Sequence, residues 1–410
     1  MPVPKFGTTK YVFIACLLLA FGSMIAVFIL QLGLMRSMIS GIQITKEHFT
    51  NSLKINGKEK TLRRKPGTKM IMFWTTRGNR KNWFGFSEAV TTLPMSRIAK
   101  CSNRDCIFTS NHSRIKEADM VLFYQNENHL SWPPVHYPQQ DYGHYIIEAP
   151  CWNRGSRYLD QYEGKINLTI NFRYDADVYA PYNAIVPVKS VKTYKPGIPH
   201  EYKTKMVVWP VSHCLTLSHR EDYVTELSRY IDVDIYGACG KRKCRKYNQG
   251  YCMKQWEREY MFYISFENCL CEDYITEKTF RPLQYEIIPV VLGGGNYSRD
   301  VPPHSVINAR DFNSPKDLAD FLTHLAADEQ RYRSYFKWKT HYRIVGGVPQ
   351  FLCRLCNALH EDKFPRPLAK TSYADYWLGS NGERCDNNLV PSMKRQQGWK
   401  AVEPELNKTI

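Results

Sequence analysis

The chain has 410 residues, 43% of them hydrophobic and 23% charged, with a formal net charge of +17. That balance is globular, 27 tyrosines exceed what disordered chains carry, and the length implies two or three domains rather than one. Apart from the runs Lys58–Lys69 and Lys241–Lys246 the basic residues are scattered, not gathered on a nucleic-acid module, so they fit an anionic nucleotide, membrane or glycan surface and argue against nucleic acid.

Tyr11 to Met35 is an uncharged apolar run broken only by Ser23 and Gln31, long enough to span a bilayer. It is too long for the apolar core of a cleaved signal peptide. Residues 1–10 read as a cytoplasmic tail, 11–35 as a transmembrane signal-anchor and 36–67, polar and aperiodic, as a stem. Of 13 cysteines, Cys16 lies in the anchor, and the other twelve suit disulfides in an oxidising lumen. Sequons at Asn111, Asn167 and Asn296 agree with that address.

Lys69–Thr75, Ala118–Tyr124 and Tyr145–Ile147 read as buried strands of a first Rossmann-like domain, residues 68–200, which closes in a proline- and lysine-rich linker from Tyr182 to Tyr202. Lys205–Trp209, Val233–Gly237, Met261–Ser265 and Ile287–Leu292 read as strands of a second, residues 201–345. A helix is predicted from Arg220 to Arg229, and another from an N-cap at Ser314 with Pro315 at its first position. Helical pattern continues over Tyr332–Lys339, and 346–410 reads as a disulfide-containing tail. Strands alternating with helical spacers predict an α/β fold of parallel sheets whose strand ends face a cleft.

Glu148 follows a predicted strand, where open α/β sheets place their sites, and a carboxylate there can deprotonate a hydroxyl. Arg220 at a helix start and Glu277-Lys278 after a strand suit a diphosphate, which two fixed cations can stabilise without metal. Asp175-Ala-Asp177 has the D-x-D spacing that can share a divalent ion. Cys101, Cys106, Cys353 and Cys356 lack the further ligands of a zinc site and read as disulfide candidates. The aromatic stretch Tyr332–Lys339 suits core packing more than a sugar platform.

The residues also resemble a family. Ile264-Ser-Phe-Glu-Asn268 followed by Tyr274-Ile-Thr-Glu-Lys278 is similar to the signature of the α1,3/4-fucosyltransferases of glycosyltransferase family 10. Phe172–Asp177, Lys203–Trp209, Val233–Gly237, Ile288–Gly293 and Asp311–Asp317 extend the likeness over roughly residues 70–385. The resemblance implies a GT-B fold, two Rossmann-like domains facing across a cleft. It implies GDP-β-L-fucose as donor and transfer with inversion to the 3-hydroxyl of N-acetylglucosamine.

Glu148 stands at the family's presumed general base, with Ala149 replacing the usual serine. Arg220 and Lys278 match residues on the donor phosphates, and Asn268, Tyr274 and Glu277 match residues around nucleotide and fucose. His213 and Cys269 depart from the common Asn and Ser. The Asp175/Asp177 pair matches a pattern that is not a metal site; no cofactor is required, and Mn2+ is a stimulant of animal members. Anchor and stem resemble those of single-pass type II Golgi members, with the catalytic domain lumenal. The cysteine-rich insert resembles the invertebrate branch related to core α1,3-fucosyltransferases, leaving open a core N-glycan N-acetylglucosamine or antennal LacNAc/LacdiNAc as acceptor. The competing expectations are a catalytically inactive, membrane-anchored glycan-binding protein of the same fold and a transferase using another nucleotide sugar.

Overall fold

Met70–Phe73 and Met120–Phe123 are almost completely excluded from solvent, which suits strands of a parallel sheet covered on both faces. A computed structural model describes residues 67–75, 91–92, 101–124, 131–149, 157–188, 193–244, 249–361 and 372–399. The expected tail, the anchor 11–35 and nearly all of the stem lie outside the described residues. Among those described, no helix is long and apolar enough to cross a membrane.

The first sheet contains β1 (Lys69–Phe73), β2 (Thr91–Thr92), β3 (Cys106–Thr109), β4 (Met120–Tyr124), β5 (Asp141–Ile146), β6 (Leu168–Asn171) and β7 (Val178–Tyr179), in the order β2-β3-β1-β4-β5-β6-β7. All neighbours are parallel except β2 with β3. β8 (Asn183–Pro187) leaves this half. The second sheet contains β9 (Lys205–Pro210), β10 (Val233–Tyr236), β11 (Tyr260–Phe266), β12 (Ile288–Leu292) and β13 (Ile307–Asn308), ordered β10-β9-β11-β12-β13 and wholly parallel. The fold is therefore α/β with parallel sheets. The winding direction reverses between β1 and β4 in one sheet and between β9 and β11 in the other, and such reversals open a crevice at the carboxyl ends of the strands.

Helix Pro315–Ala327 begins as its residues predict. Ser314 accepts from the Asp317 amide at 3.1 Å, and Pro315 fills the first turn, where no amide hydrogen is needed. Its Leu318, Leu322 and Leu325 pack on Val207, Phe262, Ile264 and Val290 of the second sheet. The aromatic stretch after it is core: Tyr332, Tyr335, Phe336 and Trp338 are buried, and the Tyr332 hydroxyl donates to the Met261 carbonyl at 2.7 Å. It is not one helix, because Glu329–Ser334 ends before a separate turn at Lys337–Thr340.

The expected linker 182–202 is more ordered than its prolines suggest. β8 pairs antiparallel with β14 (Tyr342–Gly346), so the chain's outward and return crossings run side by side. Farther along, the Glu286 carboxylate accepts from the amides of Gly197 and Ile198 at 2.8 and 3.1 Å. At the return, a side chain on Gly347 would collide with the Pro181 carbonyl, which explains a glycine where helix Gly347–His360 starts.

Residues expected as a tail complete both halves. Helix Gly347–His360 lays Phe351, Leu352, Leu355 and Leu359 on Ile71, Phe73, Phe108 and Leu122 of the first sheet. Helix Tyr373–Leu378 buries Tyr373 and Trp377 against its opposite face. The chain then crosses to the second half. Glu272 donates its amide to Arg384 and Asp386 donates to Leu270, at 2.8 and 3.0 Å, around a Cys271–Cys385 disulfide. Helix Leu389–Gln396 ends against helix Arg220–Leu227, with Lys394 paired to Asp222 at 3.1 Å.

Candidate active site

The crevice of the second sheet is built where β9 and β11 end. After Pro210 the chain loops to His219, whose φ of 53° is left-handed, and Arg220 then opens its helix. The Arg220 guanidinium is 4% exposed and donates to the carbonyls of Phe266 and His213 at 2.8 and 3.0 Å and to Glu221 at 3.3 Å. It therefore ties the end of β11 to the β9 loop. Five N–H donors on a planar group leave some for an anion after those bonds. A Cys214–Cys239 disulfide and a Ser218 amide bond to the Asn268 carbonyl, 3.2 Å, hold the same loop. Asn268 is buried, and its side-chain oxygen has no partner among the described residues.

Beyond β11, Glu267 is fully buried and accepts from the Thr276 amide and hydroxyl, each at 2.9 Å. Its other contact is the Lys278 ammonium at 3.1 Å. Thr276 caps the helix Glu277–Phe280, which has only four residues, so full charges rather than a macrodipole dominate here. Burial works against the Lys278 charge, but Glu267 and Glu277 outweigh it and hold the lysine above its ordinary pKa. Burial, then Arg220 and Lys278, lowers the pKa of His213; both cations thus reach one imidazole. Behind them, a side chain at Gly294 would collide with the Cys271 carbonyl, and one at Gly295 with Ile275.

The first sheet brings Glu148 to this crevice. It follows β5, is half-buried, and accepts from the Tyr274 hydroxyl at 2.8 Å. Tyr274 lies on the loop between β11 and Lys278, and Asp273 before it has a left-handed φ of 58°. Tyr274 is fully buried; burial, then Tyr182 and Glu148, raises its pKa far above the ordinary phenol range, so it stays a donor. The Tyr182 phenol is raised by burial, then by Glu148 and Glu277, which puts carboxylates of both halves around one ring. A clasp flanks this pair. Arg299 binds Asp273 and Asp300 at 2.5 and 2.8 Å and lies 3.6 Å above the Tyr174 ring, whose hydroxyl donates to Asp300 at 2.8 Å.

The residues singled out from the sequence thus converge: Glu148, Tyr274, Glu277, Lys278, Arg220 and Asn268 line adjoining strand ends. The Asp175/Asp177 pair does not join them. Asp175 pairs with Arg173 and, at 3.5 Å, with Arg384, while Asp177 accepts from the Thr169 amide and hydroxyl at 2.8 and 2.7 Å. The one ligand-type cluster among the described residues, Cys106, Cys356 and His360, contains a disulfide and so lacks thiolates.

Cys101 pairs with Cys353 and Cys106 with Cys356, so all four expected cysteines are bridged, each to a partner some 250 residues distant (separations 252 and 250). Asn111 and Asn296 use their side-chain oxygens as helix caps. Asn167 is engaged differently from the other two sequon asparagines. Its amide nitrogen, the atom a glycan would need, donates to buried Asp141 at 2.6 Å, and Thr169 of the same sequon is buried. Glu267 and Tyr182 are site residues to which sequence reasoning gives no role; Glu267 lies within the signature Ile264–Asn268, a charged residue directly after a seven-residue buried strand.

Both halves match family descriptions. "Fucosyltransferase, N-terminal" covers residues 66–183, and "Glycosyltransferase family 10 (fucosyltransferase) C-term" covers 200–373. The chain is thus a glycosyltransferase, with one description on each sheet. It is similar to Alpha-(1,3)-fucosyltransferase C of Drosophila melanogaster, 32% identical over 321 residues, 72% of this chain and 74% of the relative. Glycoprotein 3-alpha-L-fucosyltransferase A of the same organism is 35% identical over 290 residues, 68% of this chain and 56% of that longer protein. The Homo sapiens 4-galactosyl-N-acetylglucosaminide 3-alpha-L-fucosyltransferase FUT5 is 36% identical over 284 residues, 67% and 71% of the two chains. The chain belongs to glycosyltransferase family 10, the fucosyltransferases.

Proposed function

We propose that this protein is an inverting α1,3-fucosyltransferase of GT-B architecture. It moves L-fucose from GDP-β-L-fucose to the 3-hydroxyl of N-acetylglucosamine on glycoprotein glycans in the Golgi. The observation that carries this is the hydrogen bond from Tyr274 to Glu148, which sets a carboxylate of one sheet beside the cationic strand ends of the other. Glu148 takes the acceptor proton as the hydroxyl oxygen attacks the anomeric carbon. The bond from that carbon to GDP breaks on the opposite face, and its electron pair leaves with the diphosphate. Lys278 and the remaining donors of Arg220 stabilise that charge. Asn268 and Glu277 bind the nucleotide and fucose. Fixed cations at the diphosphate make a metal unnecessary in this scheme, with Mn2+ only a loosely held stimulant.

Two of the relatives are named as 3-alpha-L-fucosyltransferases, one of a glycoprotein and one of a 4-galactosyl-N-acetylglucosaminide; the acceptors in question here are a core N-glycan N-acetylglucosamine and antennal LacNAc or LacdiNAc. The disulfides suit an oxidising lumen, reached by a type II anchor at residues 11–35. The test is transfer by the full chain from GDP-fucose, GDP-mannose and UDP-galactose to LacNAc, LacdiNAc and a trimmed N-glycan core, read by product mass and linkage. Fucose on oxygen 3 from GDP-fucose alone is expected. Glycan binding without transfer from any donor would instead identify an inactive binding protein.

A further inference from the structure

We propose that Glu267 is a positioning residue that aims the Lys278 ammonium at the donor diphosphate, an inference that rests on the donor site proposed above. The ion pair is lopsided: the Glu267 carboxylate is 0% exposed and the lysine side chain 28%, so only the cation reaches the crevice. A buried carboxylate is costly unless its lone pairs are filled. Here the Thr276 amide and hydroxyl fix it, and Lys278 takes what remains. Gly293 adjoins it: a Cβ there would collide with the Tyr297 hydroxyl and sit 3.3 Å from the Glu267 Cγ. A structural partner alone could have been apolar at this depth.

The other groups facing the ammonium cannot replace it. Glu277 is 3.6 Å away but 44% exposed and offers a solvent-screened charge. The Thr276 hydroxyl at 3.0 Å carries no charge, and Arg220 repels. His213, lowered by burial and by both cations, is neutral above neutral pH and does not titrate with the lysine. Without Glu267, burial and Arg220 favour loss of the Lys278 proton at lower pH.

The experiment is GDP titration calorimetry on the full-length chain from pH 7.5 to 9.5 with wild type, Glu267→Gln, Lys278→Met and the double variant. Lys278→Met is expected to weaken GDP by about tenfold or more. Glu267→Gln keeps an oxygen for Thr276; it should lose affinity toward the alkaline end of this range, where wild type, its lysine held above the ordinary value by Glu267 and Glu277, does not. The double variant should bind as Lys278→Met alone. Wild-type GDP affinity in Lys278→Met would remove the donor reading itself. A Glu267→Gln defect that is independent of pH, and as large in the Lys278→Met background as with Lys278 intact, would overturn the positioning role while leaving the donor site standing. Should Glu267→Gln melt below assay temperature, Glu267→Asp serves in the same cycle: it keeps the charge, withdraws it by one methylene, and should weaken GDP only where Lys278 is present.

Discussion

The Tyr274 hydroxyl donates to the Glu148 carboxylate at 2.8 Å, although the two residues are 126 positions apart and belong to different sheets. One half of the molecule therefore holds the proposed base of the other. The loop that carries Tyr274 also carries Lys278, so placing the base and placing the diphosphate cation are one structural event.

Tyr274→Phe keeps the buried ring and removes that bond. A hydrogen bond to a charged group contributes about 1.5–3 kcal/mol, so kcat should fall by roughly tenfold or more. The loss should exceed any rise in donor KM. Steady-state kinetics with varied GDP-fucose checks this, and a change confined to donor KM would assign Tyr274 to the nucleotide sugar instead.

His144 gives the fold an acid limit. It is fully buried on β5, its Nδ1 meets the Tyr373 hydroxyl at 2.7 Å, and burial lowers its pKa to about 3. The unfolded chain accepts a proton near pH ~6.5 that the folded chain refuses. Stability is therefore complete above that value and lost as pH falls, by about 1.4 kcal/mol per pH unit, levelling off near the folded value. Urea unfolding between pH 7 and 5 should show this slope, and His144→Phe should flatten it.

Two disulfides side by side, Cys101–Cys353 and Cys106–Cys356, tie helix Gly347–His360 to the first sheet. While one remains, the other closes only a short loop. Removing either by paired Cys→Ser changes should cost about 3 kcal/mol, and removing the second about 5 more, because a loop of some 250 residues is then opened. Denaturant midpoints of the single and double variants check this order; equal, additive losses would contradict it.

Most strands readable from sequence are well-buried ones, although β10, at a sheet edge and half-buried throughout, is read as well. β1, β4, β9, β11 and β12 present nearly continuous apolar runs because parallel sheets are covered above and below. β5 reads four residues late because it opens with Asp141 and contains His144, polar groups whose partners, Asn167 and Tyr373, are remote in sequence. β6, with Thr169 and Asn171, escapes detection for the same reason. β8 reads as linker because an edge ribbon with two half-exposed faces and a terminal proline has no burial pattern.

At the site, Glu148 and Lys278 can be found from position after a strand. The carbonyl partners of Arg220 cannot, since any residue supplies a carbonyl. Glu267 lies within the signature Ile264–Asn268, but it has no role of its own until Thr276 and Lys278 are seen to fold back on it.

The most direct measurement is turnover of Glu148→Gln with labelled GDP-fucose, together with its GDP affinity. Losing the base should lower kcat by roughly 10²–10⁴-fold. The amide retains the shape at Tyr274, so GDP should bind as in wild type. Near-normal transfer by Glu148→Gln would contradict the claim that this carboxylate and the cationic crevice form one catalytic site.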